Sequence, residues 1–424
     1  GAGVPMFRGN PARTGEMPGP GPDPANGVEL LWSFATGGSV WSAPAVIDDV
    51  VYTGSTDSNV YAQDAVSSRV LWRFVTGGSV YSSPAVVDGV VYIGSSDSNV
   101  YALDAATGAE RWRFATGGSV FSSPAVVDGV VHVGGEDFNV YALDAVSGSE
   151  LWRFGTNDYV YSSPAVVDGI VYVGSWDANI YALDAALGTE VWRFGTDEPV
   201  RSSPAVVEGV LYVGGYTSNV YALDAALGTE RWRFATGGLW SSPAVVDGVV
   251  YAGSLDSNIY ALDAGSGNER WRFATATEVW SSPAVAAGVI YTGSEDANVY
   301  ALDAVSGSEV WRVTTGSWVT SSPAVVDGVV YVGSGDTYVY AIGARGLRLE
   351  AGGVARVTSP TSLRGGPAST AVERAELLAG TTVSITGEPE TTDEIVWWPV
   401  TVDGSGDQGW VDETALEPTE NAPG

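Results

Sequence analysis

The tetrapeptide Ser-Pro-Ala-Val, Ala-Pro-Ala-Val at its first occurrence, recurs with its proline at Pro44, Pro84, Pro124, Pro164, Pro204, Pro243, Pro283 and Pro323. The step is 40 residues, shortened once to 39. A second series keeps the same period: Trp32, Trp72, Trp112, Trp152, Trp192, Trp232, Trp271 and Trp311. A fixed period of this length means one small unit copied along the chain, each copy burying its apolar face against the next. Residues 82–114 show what the unit is. SSPAVVD is a short apolar run, and Asp88-Gly89 is a dipeptide suited to a tight hairpin. VVYIGS, the polar turn SDSN, VYALDA, the turn ATG and ERWRF follow. Each segment is short and rich in Val, Tyr, Trp and Phe, with no room for a helix. Four short antiparallel strands per repeat read as a blade of a β-propeller.

Both series count eight blades, and their offset shows how the ring closes. Residues 29–34 (ELLWSF) precede the first complete copy, whereas the last copy, residues 321–342, has three strands and no tryptophan strand. The N-terminal strand is therefore expected to complete blade eight. The fold class that follows is all-β: an eight-bladed propeller of four-stranded blades over residues 29–344, closed by an N-terminal strand, with a small β-barrel after it.

ALDAATGAERW, residues 102–112, carries Ala102, Asp104, Gly108 and Trp112 in the spacing Ala-x-Asp-x3-Gly-x3-Trp. This resembles the tryptophan-docking motif of pyrroloquinoline-quinone-type propellers. Later copies agree, as in Asp144/Gly148/Trp152 and Asp303/Gly307/Trp311, while the first has Ser68 in place of glycine. The resemblance implies that the eight tryptophans are structural staples. Each would cover the neighbouring blade and bury apolar area worth roughly 2–3 kcal/mol. Residues 1–28 are rich in Gly and Pro without period and are expected to form an extended strap. Their FRGNPARTG is similar to a segment that leads into other quinone-type propellers.

After Gly343 the repeat stops. Residues 357–369 (VTSPTSLRGGPAS), 377–385 (LLAGTTVSI), 396–400 (VWWPV) and 408–416 (QGWVDETAL) resemble a bacterial Src-homology-3-like domain, placed at residues 345–424 with disordered last residues. Such domains bind cell-wall peptide or act as spacers, which implies export. Trp397, Trp398 and Trp410 either line a ligand groove or pack in the core.

Composition removes several chemistries. The net charge of −31, with all 19 basic residues arginine, disfavours nucleic acid and anionic lipid and favours cations or basic partners. Cysteine is absent, and with it disulfides and thiolate sites. The lone histidine, His132, stands where other copies have Tyr52, Tyr92, Tyr172, Tyr212, Tyr251, Tyr291 and Tyr331. It reads as a core replacement and leaves no histidine for a catalytic triad or zinc. No apolar run is long enough to span a bilayer. The D-x-N elements at Asp57, Asp97, Asp137, Asp177, Asp256 and Asp296 place oxygens at a spacing calcium accepts, but six copies favour turns that satisfy their own backbone.

The copies differ where they should differ if one face binds. The residue before the Ser-Ser or Ser-Ala pair runs Trp41, Tyr81, Phe121, Tyr161, Arg201, Trp240, Trp280, Thr320. The loop after strand two varies at Thr56, Ser96, Glu136, Trp176, Tyr216, Leu255, Glu295 and Gly335. These positions share one face and ring the channel mouth, either to bind or to plug it. Blades four and five depart most. The candidate binding residues are Asp158, Tyr159, Tyr161, Trp176, Asp197, Glu198, Arg201 and Tyr216, with Trp240, Trp280 and Trp318.

The resulting expectation is a non-catalytic, monomeric, extracytoplasmic binding or scaffold protein, at the cell surface or secreted, whose leader lies outside this numbering. It would take a protein, peptide or cell-wall glycan partner, with no nucleic acid, no membrane insertion, no metal and no cofactor. It is also compatible with the sensor portion of a larger surface protein such as a receptor kinase. The alternative is an outer-membrane-assembly scaffold lipoprotein, which has a similar propeller without this tail. A quinone-dependent dehydrogenase is the third reading. It would need a calcium carboxylate cluster and loop insertions that the short, uniform loops here do not supply.

Overall fold

The computed structural model describes residues 3–216, 218–344, 354–357, 360–387, 389–392 and 395–419. The chain forms two units, residues 1–344 and 345–424. The first contains eight four-stranded antiparallel sheets. Blade one is Ala45–Ile47, Val50–Ser55, Asn59–Asp64 and Val70–Val75, and the next six repeat this order from inner to outer strand. Blade eight takes Ala324–Val326, Val329–Gly333 and Tyr338–Ala344 from the C-terminal side and Val28–Ala35 as its outer strand, pairing Trp32 with Ala341 and Phe34 with Val339. Among the described residues, no helix is long and apolar enough to cross a membrane.

Local chemistry explains the blade. The first hairpin turns on Asp88 and Gly89, both at positive φ (50° and 71°), as a two-residue primed turn demands. Glycine in strand two serves the neighbour. A Cβ on Gly94 would lie 2.3 Å from Val120 Cγ1 of blade three, and one on Gly333 would lie 2.3 Å from Val40 Cγ1 of blade one, so the same contact that joins successive blades closes the ring. The Ser-Ser pair stitches in both directions. Ser82 Oγ accepts from Gly94 N at 3.1 Å within its blade and donates to Ser122 O at 3.0 Å in the next. Ser321 Oγ repeats the interblade bond across the seam, donating to Ser42 O at 2.9 Å.

The docking motif is equally physical. Trp72 Nε1 donates to Ala105 O of the following blade at 2.8 Å, and Trp32 does the same to Ala65 O across the seam. The motif glycine is what lets the indole lie flat. Gly108 has φ 71°, and a Cβ there would sit 2.6 Å from the Trp72 ring. Trp311 differs: its Nε1 is buried with no partner among the described residues, because blade eight lacks the Asp-Ala hairpin that supplies the carbonyl elsewhere.

Residues 3–22 run around one end of the ring. Val4 exchanges hydrogen bonds with Val46, and the carbonyls of Pro5, Pro11, Ala12, Thr14, Gly15 and Pro20 accept from Val86, Val166, Val206, Val245, Val285 and Gly328. The segment therefore pairs with the edge of nearly every inner strand. Blade three is reached differently, by the buried Arg13 guanidinium, which donates to Ser123 O and Pro124 O as well as to Pro164 O and Phe7 O.

The second unit is a small β domain. Its sheet runs from Glu373–Leu377 through Thr361–Arg364, Gln408–Asp412, Ile395–Val402, Thr382–Ile385 and Val354–Val357 to Leu416–Thr419. Its core holds Leu363, Val383, Trp398, Val400 and Val411. Trp397 is buried too, with Arg364 facing its ring, and only Trp410 is half-exposed, so two of the three tail tryptophans are packing residues rather than free groove walls. The last residues, expected to be disordered, lie outside the described residues.

Candidate functional site

Each inner strand is entered from the channel, so the residue before the Ser-Ser pair projects toward the axis. Trp41, Tyr81, Phe121, Tyr161, Arg201, Trp240, Trp280 and Thr320 together wall a funnel of about 400 Å³. Their rings touch around it: Trp41 to Tyr81 (5.8 Å between centroids), Tyr81 to Phe121 (4.7 Å, stacked) and Phe121 to Tyr161 (5.4 Å). Trp176 and Tyr216 bridge the second half from a higher tier, at 5.2 Å from Tyr161 and 5.7 Å from Trp240. Trp41 closes the circle against Trp280 at 5.9 Å and packs on Trp318 at 4.9 Å. The aromatic rings thus stand in contact with one another around the axis.

Arg201 is the cation in this wall. Its guanidinium lies 3.6 Å from the Trp240 ring centroid and 5.6 Å from that of Tyr161, a geometry favourable for cation–π contact. Burial pushes it down to about 10, still fully charged at neutral pH. The nearby acids are held by neighbours. Tyr161 donates to Glu136 Oε1 at 2.7 Å, and Trp280 Nε1 donates to Glu278 Oε2 at 2.7 Å. Burial, with the Glu278 charge beside it, raises the Glu295 carboxyl.

The floor was not legible as a site. Phe7 of the N-terminal segment closes the funnel from below, together with the second serine of each pair: Ser83, Ser123, Ser163, Ser203, Ser242, Ser282 and Ser322. Each of these hydroxyls accepts one backbone N–H from the preceding blade, as Ala43 N to Ser83 Oγ and Ser83 N to Ser123 Oγ, both 2.9 Å. The signal available in the sequence was the constancy of that serine, broken only by Ala43.

Three candidates from blades four and five are not brought to the funnel. Asp158 folds onto its own loop, accepting from Tyr159 N. Asp197 points outward, with its side chain 88 % exposed and 3.6 Å from Arg233. Glu198 is buried at 6 % exposure and accepts from Ser218 Oγ. The reason lies in the repeat. Elsewhere an aspartate ties the two loops of a blade together: Asp97 takes Asn99 N on Oδ1, and Gly77 N and Tyr101 OH on Oδ2. Blade five has threonine at that sequence position, and Glu198 brings a carboxylate to the same loop from the other side. Tyr159 is exposed and packs on Phe138 and Tyr161.

The calcium site that a quinone-type propeller implies does not fit these residues. Both oxygens of the turn aspartates are engaged by their own loops, as at Asp97, and burial there is outweighed by hydrogen bonds from Tyr101, Asn99, Gly77 and Ser95 that hold the carboxyl below its ordinary value. Among the described residues no three His, Cys, Asp or Glu stand where they could hold a metal. The mouth carboxylates are divided between blade three and blade seven.

Solved structures share the fold at low identity. BamB from Moraxella catarrhalis is 22 % identical with a TM-score of 0.65, covering 74 % of this chain and 99 % of its own. A europium-containing methanol dehydrogenase is 17 % identical with a TM-score of 0.70, covering 81 % and 98 %. The quinohemoprotein alcohol dehydrogenase from Comamonas testosteroni is 17 % identical with a TM-score of 0.69, covering 86 % and 83 %. No curated protein matches the sequence. The repeat family described as outer membrane protein assembly factor BamB matches residues 23–121, 96–186, 176–279 and 255–391. Those matches run through every blade and past the last one, and the chain belongs to that family.

Proposed function

We propose that this chain is a non-catalytic binding protein that receives a partner at the mouth of its propeller. The observation that carries the reading is the continuous aromatic wall with Arg201 set in it, combining flat apolar area with a charged, hydrogen-bonding group. Such a combination is characteristic of interface hot spots. Glu136 is engaged by Tyr161, Glu278 by Trp280, and the turn aspartates by their own loops, which supports recognition groups rather than a nucleophile and base in contact. A protein or peptide partner outside the cytoplasm agrees with membership of the assembly-factor family. A role as scaffold in outer-membrane assembly is the second reading, favoured by the family match. A cell-wall glycan received through the tail domain is less supported, because Trp397 and Trp398 are buried.

The test is partner capture from a cell-envelope extract. Replacing Trp176 and Tyr216 by alanine should each weaken capture by about 1–3 kcal/mol, with melting temperature nearly unchanged. Ser96→Ala and Thr56→Ala serve as controls on blades two and one. Equal capture by both sets would remove the mouth as the site. Stoichiometric quinone binding with dye-reducing turnover would replace the reading with an enzyme.

A further inference from the structure

In a chain of net charge −31, three guanidinium groups stand along the axis of the ring. Arg13 and Arg8 lie in the segment beneath the funnel, 0 % and 2 % exposed. Arg13 spends its donors on backbone carbonyls of Phe7, Ser123, Pro124 and Pro164. Arg8 donates from Nη2 to Pro243 O, while its Nε and Nη1 are buried without a partner among the described residues. Arg201 stands above them in the wall, and no carboxylate pairs with it among the described residues, whose ion pairs join other residues. Between the two levels lies the serine belt. Each hydroxyl there has already accepted a backbone N–H, and it has no acceptor for its own proton among the described residues. A hydroxyl in that position still has its O–H to donate. The funnel therefore combines an unneutralised cation, a ring of unspent O–H donors and apolar walls.

We propose that the funnel binds a carboxylate, seated against Arg201 and the serine hydroxyls, with the apolar body that carries it packed on the aromatic wall. This deepens the proposed function and rests on the reading of the mouth as the binding face. A guanidinium pairs with a carboxylate through charge-assisted bonds, and partial desolvation strengthens them. The space of about 400 Å³ admits a small acid or a chain end, not a folded domain. The carboxylate then comes either from a free small acid or from the C-terminus of a peptide.

Calorimetry with matched probes separates these. N-acetylphenylalanine and the tripeptide Ala-Ala-Phe would each be titrated as the free acid and as the C-terminal amide. The acids should bind on the order of tenfold more tightly than the amides. Arg201→Gln should erase that ratio, and Arg201→Lys should keep part of it. Preference for the acid only in the tripeptide marks a chain end as the source; preference in both marks any small acid. Should Arg201→Gln melt early, the acid-to-amide ratio of the unaltered protein and of Arg201→Lys decides. Equal binding of acid and amide to the unaltered protein, or an unchanged ratio in folded Arg201→Gln, overturns the proposal. If the ratio fails while capture still depends on Trp176 and Tyr216, the carboxylate is wrong and the binding face stands. If the ratio holds while capture is insensitive to both, the reverse follows.

Discussion

His132 shows what one departure from the repeat does. In blades one and two the equivalent hydroxyls of Tyr52 and Tyr92 donate to Ala105 O and Ala145 O, the same carbonyls that take the docking indoles. In blade three Ala185 O receives Trp152 Nε1, and His132 Nδ1 is buried without a partner among the described residues. Burial pushes the His132 imidazole from 6.5 down to about 4. Its folded value lies below its unfolded value, so its contribution to stability is complete above pH 6.5 and drains as the pH falls toward 4. The full span is on the order of 3 kcal/mol. His132→Tyr should restore the missing bond, gain about 1 kcal/mol at neutral pH, and flatten the stability profile between those limits. Melting curves at pH 7 and pH 5 check this; parallel losses in both proteins would contradict it. Asp49 is a second departure. It sits at φ 59° where other first hairpins have glycine, and it is exposed. Asp49→Gly should stabilise the ring by about 1 kcal/mol in denaturant titration. A loss of stability would show that the Asp49 side chain holds the turn.

At the scale of elements, the ends of the first unit carry its closure. Strand Val28–Ala35 completes blade eight, and residues 3–22 pair with inner strands around the ring. Removing residues 1–34 exposes two kinds of strand edge at once. That truncation should lose the cooperative melt, whereas removing residues 346–424, which have their own core, should leave it nearly unchanged. An unaltered melt for the first truncation would mean the ring closes another way. The closing strand was legible because Trp32 keeps the period of the other tryptophans. The circling segment was legible only as an extended strap: its bonds run through backbone carbonyls and through Arg8 and Arg13, and backbone pairing leaves no periodic mark in a Gly- and Pro-rich stretch. Glu198 failed for a different reason. A charged loop residue reads as exposed unless the missing aspartate of blade five is noticed at the same time.

For the whole molecule, one end of the channel is closed by the chain's own N-terminal segment and the other opens as an aromatic funnel with Arg201 in its wall. Which aromatic positions ring the mouth was readable from the repeat, because equivalent positions of a propeller must share a face. The depth of the funnel was not, because it depends on Phe7 and on where the strap stops. The central claim is that a partner is received at this mouth. A photo-reactive phenylalanine analogue placed at Tyr216, at Val146 on the outer hairpin of blade three, and at Trp410 in the second unit tests it in one experiment. Irradiation in a cell-envelope extract should give a discrete adduct from position 216 and none from 146 or 410. An adduct from 146 or 410 with none from 216 would contradict the claim.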